Sequence, residues 1–348
     1  MRIALYNLAF AALGGGERRT ALLAAHLARA HQVAIFAESP IDARRIRGLF
    51  GIDLSEVSTH VLPASLEAHG RAIAAWKPDL FINNHYASRL RSPAPRGIYM
   101  CMFPEGSPQG LESYQVITAN SGYTQEWILK RWQREAEVVY SAAEPMGPPA
   151  AKESVILNVG RFQADIGINH FKRHPVLLAA FRKLQWQLDE PWEMHFVGTV
   201  GATEGDRLYA EGLRSRASSS RIHVHFGIAQ DALRELYRRA ALYWHAAGFG
   251  GGKPERQEHF GMTIVEAMSA GAIPLAFRGG GPRETIADGT NGYLWTSPTE
   301  LLGRTRELIA NSALRQQMSD AAVERSRQLD KRQYLLRMDA IVSRMLAA

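Results

Sequence analysis

Apolar and polar positions along the chain alternate between two patterns. Short runs of β-branched, aromatic and other apolar residues occur at Ile3–Tyr6, Val33–Ala37, Val57–Leu62, Leu80–Asn83, Ile98–Met102 and Val116–Ala119. Their length and composition predict strands. Between the first two lies Thr20–Ala30, rich in alanine and leucine with Leu23 and Leu27 on one face, which predicts a helix. Strand, helix, strand at this spacing is a βαβ unit and implies a parallel sheet covered by helices. Ala142–Lys152 holds three prolines and continues neither regular element, so it reads as a linker. The alternation then restarts with strands at Val155–Val159, Met194–Val197, Ile222–Phe226, Leu242–His245 and Ile273–Ala276, and a helix at Val176–Leu188. Pro298–Leu346 reads as two or three helices. The expected organisation is a domain over 1–150, a second over 151–330, and a terminal helix over 331–348 that returns to the first.

Composition narrows the chemistry. At 348 residues, 46% hydrophobic and 22% charged, the chain has the profile of a soluble protein with two cores. Cys101 is the single cysteine, which excludes an intramolecular disulfide and a multi-thiolate metal site. No apolar run has the length of a membrane span. The opening MRIALYNLAF reads as a first strand rather than a signal peptide. Neither CxxC, HExxH, DxD nor GxxxxGK[ST] occurs, which disfavours zinc enzymes, P-loop NTPases and enzymes that hold a metal on a DxD pair. The net charge of +7 invites a nucleic-acid partner, but no basic stripe with interleaved aromatics supports one.

The strongest local signal is Glu258–Ala270, EHFGMTIVEAMSA. A turn at Phe260-Gly261 entering a helix presents backbone amides and a positive dipole end, which suits a phosphate. Glu258 and Glu266 bracket that turn, and carboxylates accept hydrogen bonds from vicinal diols. Alone, two such glutamates read as solvated helix residues. The whole string, however, resembles the donor-site signature of retaining glycosyltransferases of family 4, and further elements follow in the same order. They are Gly14–Arg18 (GGGER), Thr118–Thr124 (TANSGYT), Leu157–Arg161 (LNVGR) with Lys172, Gly279–Thr285 (GGGPRET) and Asp288–Leu294 (DGTNGYL). The resemblance implies an α/β chain of the GT-B fold, two Rossmann-like domains facing each other across a deep cleft.

It also implies roles. Glu258 would contact the donor sugar and Glu266 the ribose. Phe260, Gly261, Met262 and Thr263 would face the sugar and phosphates. Arg161 and Lys172 would neutralise the departing diphosphate, and Gly14, Gly15 and Gly16 would let backbone approach it. A dinucleotide fingerprint is the competing reading of those glycines, with Glu38 as its acid, but it requires glycine where Arg19 stands. His85 follows a strand where parallel-sheet ligands gather, and it is a candidate for contact with acceptor or donor sugar. Met102 falls where many members of the family carry a histidine, a departure from the pattern.

The implied activity is transfer of a hexosyl unit, mannose or glucose, from a GDP- or UDP-linked sugar to a glycan, lipid-linked or small-molecule acceptor. A metal-independent front-face path with retention is expected, without a separate cofactor. The alternatives are a GT-B nucleotide-sugar epimerase and a catalytically degenerate binding or scaffold relative. The placement expected is cytoplasmic, with peripheral membrane contact through Arg44-Arg45-Arg47 beside Leu49-Phe50 if the acceptor is lipid-linked.

Overall fold

The computed structural model describes residues 1–10, 13–164, 172–217 and 221–347. Residues 165–171, between Arg161 and Lys172, and residues 11–12, before the glycine loop, lie outside the described residues. The chain divides into two units, one of Met1–Ala142 with Arg332–Ala348 and one of Ala143–Lys331.

Among the described residues, the first unit holds β1 (Arg2–Tyr6), α1 (Gly15–Leu27), β2 (Gln32–Ala37), α2 (Ala43–Phe50), β3 (Val57–Val61), α3 (Leu66–Ala75), β4 (Leu80–Asn83), β5 (Arg96–Cys101), β6 (Val116–Ala119), α4 (Gly122–Trp132) and β7 (Glu137–Val138). The strands form one parallel sheet in the order β3-β2-β1-β4-β5-β6-β7. Both of its faces are covered, which is why its strands read as near-continuous apolar runs. Alternate residues go to alternate sides. Ile3, Leu5, Ile35, Ile82 and Ile98 pack on one face with Leu23 and Leu27 of α1. Ala4, Tyr6, Phe36, Phe81 and Tyr99 pack on the other with Ile73 and Ile128.

The second unit runs β8 (Glu153–Val159), α5 (His174–Gln185), β9 (Glu193–Gly198), α6 (Glu204–Arg216), β10 (Ile222–Phe226), α7 (Gln230–Arg239), β11 (Ala240–His245), α8 (Met262–Ser269), β12 (Ile273–Phe277), α9 (Pro282–Thr285), β13 (Tyr293–Trp295), α10 (Pro298–Ala310) and α11 (Ser312–Ser326). Its sheet is again parallel, ordered β10-β9-β8-β11-β12-β13. Leu177, Phe181 and Leu184 of α5 cover Ile156, Phe196 and Leu242, while Ile264 and Met268 of α8 cover Leu157 and Tyr243 on the far face. The last helix, α12 (Lys331–Ala347), belongs to the first unit from Arg332 onward, where Tyr334, Met338, Ile341 and Val342 join the core beside α1.

The division falls between Ala142 and Ala143, not at residue 150, because the proline-rich segment is tied into the second unit. Glu144 pairs with Arg234 at 3.3 Å and Lys331 at 2.8 Å, and the Met146 amide bonds Ser269 Oγ at 2.9 Å. The first helix starts at Gly15 rather than Thr20, since Glu17 reaches back to the Gly14 amide at 2.7 Å and satisfies a donor at the helix start. The strands β7 and β13 escaped the sequence reading because two and three residues carry no period.

Candidate active site

In the second unit the strand order reverses between β8 and β11, and ligands of open parallel sheets gather beyond the carboxyl ends of strands at such a point. β8 leads into Gly160-Arg161 and β11 ends on His245. Beyond them three side chains meet. The Lys172 ammonium lies 2.6 Å from Glu258 Oε2, and His245 Nε2 lies 3.2 Å from the same oxygen. Carboxylate oxygens only accept, so the histidine donates through Nε2. Burial pushes the His245 pKa down against the opposing pull of Glu258, which keeps the ring neutral and a fixed prop for the carboxylate.

Glycines make this packing possible. A Cβ on Gly160 would come 2.7 Å from Lys172 Cγ, so the lysine stem lies directly on that glycine. Gly198 presses from behind, where a Cβ would fall 1.9 Å from the Gly160 carbonyl oxygen. Under Glu258, the Gly281 amide donates to the Glu258 carbonyl at 2.8 Å. Gly280 has φ +57°, and a Cβ there would sit 2.1 Å from the same carbonyl oxygen.

The Gly261 turn opens α8 with φ +91°, in the left-handed region that suits glycine. Its Cα sits beside Glu258, whose Cγ would be 3.5 Å from a Cβ on Gly261, so the positive end of α8 starts next to the carboxylate. Thr263 is fixed by Tyr243, whose hydroxyl is 2.7 Å from Thr263 Oγ1 and 3.2 Å from the Val159 carbonyl. Glu266, on α8, is buried; the Tyr237 hydroxyl donates to its Oε2 at 3.2 Å. Phe260 is buried at the turn.

The structure thus brings together Lys172, Glu258, Phe260, Gly261, Met262 and Thr263, with Glu266 farther along the same helix. Arg161 differs. It is exposed past the end of β8 and makes no hydrogen bond or ion pair among the described residues; the charge it influences is Asp206 of α6. His245, Tyr243 and Tyr237 escaped the sequence reading. The signal for His245 was available, since it ends a predicted parallel strand, the same argument that singled out His85.

His174 opens α5 beside Lys172. It is buried, with Nδ1 3.0 Å from the Tyr209 hydroxyl. Burial, helped by the nearby charge of Lys172, lowers its pKa to about 3 from 6.5. The unfolded chain therefore binds a proton that the folded chain refuses, so this stability is full above pH 6.5 and is lost as pH falls toward 3. Relative to His174→Phe, the parent should lose up to about 1.4 kcal/mol per pH unit across that window. Urea unfolding of both proteins at a series of pH values checks this, and a constant difference between them contradicts it.

In the first unit the strand order reverses between β1 and β4, and β1 leads toward the glycine loop. The Gly14 amide is taken by Glu17, so that group is engaged within the helix cap. At Gly16 a Cβ would meet only Met102, with Sδ at 3.6 Å. Packing against the described residues therefore does not require glycine there, and Met102 lies against the loop. Arg19 stands where a dinucleotide turn needs glycine; it is buried and donates to Asn84 Oδ1, filling the space a third glycine would clear. His85 is half-buried, its ring edge-on to Tyr6 at 5.7 Å, and burial lowers its pKa.

The family model for glycosyl transferases group 1 matches residues 145–325, more than half of the chain. A GDP-Man:Man(3)GlcNAc(2)-PP-Dol alpha-1,2-mannosyltransferase of Yarrowia lipolytica is 26% identical over 213 residues, 53% of this chain and 31% of that protein. A D-inositol 3-phosphate glycosyltransferase of Nocardiopsis dassonvillei is 28% identical over 186 residues, 51% of this chain and 40% of that protein. The chain thus spans less than half the length of these curated relatives. Among solved structures, Anabaena Alr3699/HepE in complex with UDP superposes with a TM-score of 0.74 at 17% identity, covering 99% of this chain and 100% of that one. Sucrose-phosphate synthase from Thermosynechococcus elongatus gives 0.74 at 17% identity, with 100% and 99% covered. The GT-B architecture expected from the sequence is therefore the fold of this chain.

Proposed function

Because this chain belongs to the glycosyl transferases group 1 family, we propose that it moves a hexosyl unit, mannose or glucose, from a nucleoside diphosphate sugar to a carbohydrate or lipid-linked acceptor. The observation that carries this reading is the half-buried Lys172–Glu258 pair at the start of α8, with buried Glu266 on the same helix. Two opposite charges held out of bulk water need partners in the resting protein, and each supplies the other. On donor binding the diphosphate draws the ammonium, and the sugar hydroxyls donate to the carboxylate that His245 holds in place. Lys172, Arg161 and the positive end of α8 then stabilise charge on the leaving diphosphate. Glu266 accepts from the ribose hydroxyls.

Transfer with retention of configuration, as in family 4, follows a front face. The acceptor hydroxyl attacks from the side of the departing diphosphate, whose oxygen takes the proton. In this reading the side-chain cations carry the charge, with no cofactor besides the donor. Both GDP and UDP remain candidates for the carrier, since the Yarrowia relative is named for GDP-mannose and the Anabaena neighbour holds UDP. In the first unit, His85 is the residue we assign to contact with a sugar. No helix among the described residues is long and apolar enough to cross a membrane. A cytoplasmic chain that meets a lipid-linked acceptor would do so through α2, where Arg44, Arg45 and Leu49 are exposed.

A panel of GDP- and UDP-linked hexoses tests the reading. Release of the nucleoside diphosphate with at least one donor is the expected result, and failure of every nucleotide to bind would sink it. Isomerised donor without acceptor would instead identify an epimerase. Repeating the assay with anionic vesicles, followed by sedimentation, reports whether the α2 arginines bring the chain to a membrane.

A further inference from the structure

The outer edge of the six-stranded sheet carries a cluster that sugar transfer does not use. β9 begins Glu193-Met194-His195, and β10 reads Ile222-His223-Val224-His225. Residues two apart on a strand share a face, and the register sets His195 directly opposite His223. Met194, Phe196 and Ile222 point into the core beneath α5, so Glu193, His195, His223 and His225 gather on the opposite face. The His195 and His223 ring centres are 4.5 Å apart, and His195 stacks on His225 at 5.2 Å.

We propose that Glu193, His195 and His223 bind a divalent transition-metal ion, of which Zn²⁺ is the best fit. One ligand atom from each lies within 4.8 Å of the others. Glu193 Oε2 is 3.2 Å from His195 Nε2 and 3.3 Å from His223 Nε2. Zinc bonds of about 2.0–2.1 Å at tetrahedral angles place neighbouring ligand atoms roughly 3.3–3.4 Å apart. Two of the three separations therefore already match, and the third lies within 4.8 Å. His223 Nε2 is shielded from solvent and makes no hydrogen bond of good geometry among the described residues, its nearest polar neighbour being Glu193 Oε2 at 3.3 Å.

The surroundings fit as well. His195 Nδ1 lies 3.1 Å from His225 Nε2. When His195 Nε2 gives its lone pair to a metal, the ring proton resides on Nδ1 and is donated to His225; ligating histidines nearly always have such an acceptor. The neighbouring carboxylate, Glu153, is held through both oxygens by Arg239, which leaves Glu193 for the ion. Two imidazoles and one carboxylate suit zinc, and the partly exposed face leaves a fourth position for water. Glu193 is the first residue of β9 and His223 the second of β10. The site therefore lies toward the amino ends of the strands, away from the carboxyl-end residues around Lys172. Bridging β9 to the edge strand β10, the ion would add a clasp at the sheet edge to the ladder and to the packing of Ile222 and Phe226.

Tag-free protein titrated with Zn²⁺ alone against a chromophoric chelator tests this, together with melting temperatures in zinc and in EDTA. One equivalent should bind and raise the melting temperature. Glu193→Gln and His223→Gln preserve side-chain bulk. Each should weaken zinc binding by more than about tenfold, cancel the thermal rise, and melt like the parent in EDTA. Glu258→Gln should bind zinc like the parent. No zinc uptake by the parent at micromolar concentrations overturns the proposal, as does parental affinity in both cluster variants or loss of binding in Glu258→Gln.

Discussion

Replacing Lys172 with alanine is expected to lower kcat/KM for the nucleotide sugar by about 10²–10³-fold, the usual effect of removing one preorganised donor to developing negative charge. The ammonium is held twice, by its 2.6 Å contact with Glu258 and by its stem on Gly160. That preorganisation separates it from exposed Arg161. The loss should fall mainly on kcat, because charge on the diphosphate grows toward the transition state. Stability should fall as well, because Glu258 is left shielded from water with the His245 hydrogen bond still in place but without the ammonium, so kinetics are read at a temperature where the variant is folded. Gly160→Ala gives an independent check. The added methyl would meet Lys172 Cγ at 2.7 Å and push the stem aside while leaving the charge in the protein. A smaller loss, roughly tenfold, is expected from such a misplacement. Steady-state kinetics with saturating acceptor distinguishes the outcomes. Parental kcat in Lys172→Ala would remove this residue from the chemistry.

The fold was legible because both sheets are parallel and covered on both faces. Such strands announce themselves as continuous apolar runs, and the core positions of β1, β2 and β4 need no partner knowledge to be placed inside. The strand order was not legible, since period and composition say nothing about which strand neighbours which. Yet the order locates the site, at the ends of β8 and β11. The sequence pattern around Glu258 could therefore suggest a ligand without showing what holds the carboxylate. His245 is thirteen residues earlier in the chain, and the Gly279–Gly281 loop follows an entire strand later. Both are brought to Glu258 only by tertiary packing. Arg161 shows the converse. The pattern groups it with Lys172, while the structure leaves it exposed past the end of β8, where the charge it influences is that of Asp206.

That packing makes Gly280 a sensitive position beside Glu258. Gly280→Ala introduces two faults at once. Its φ of +57° is unfavourable for any residue with a Cβ, and the new methyl would lie 2.1 Å from the Glu258 carbonyl oxygen. Backbone cannot swing away as a flexible side chain does, so the segment carrying Glu258 must move. Gly289 separates the two faults, because it has φ +78° and a methyl added there would meet nothing within 4 Å. Gly289→Ala should cost only the conformational part, about 1–2 kcal/mol, and leave turnover near the parent. Gly280→Ala should cost about 1–3 kcal/mol beyond that from overpacking, and should also lose turnover at least tenfold, because a displacement of about 1 Å at a positioning contact is enough. Denaturant unfolding and donor kinetics on the two variants decide the matter. Equal stability losses, or a Gly280→Ala protein that turns over like the parent, would mean that the glycine loop does not position Glu258.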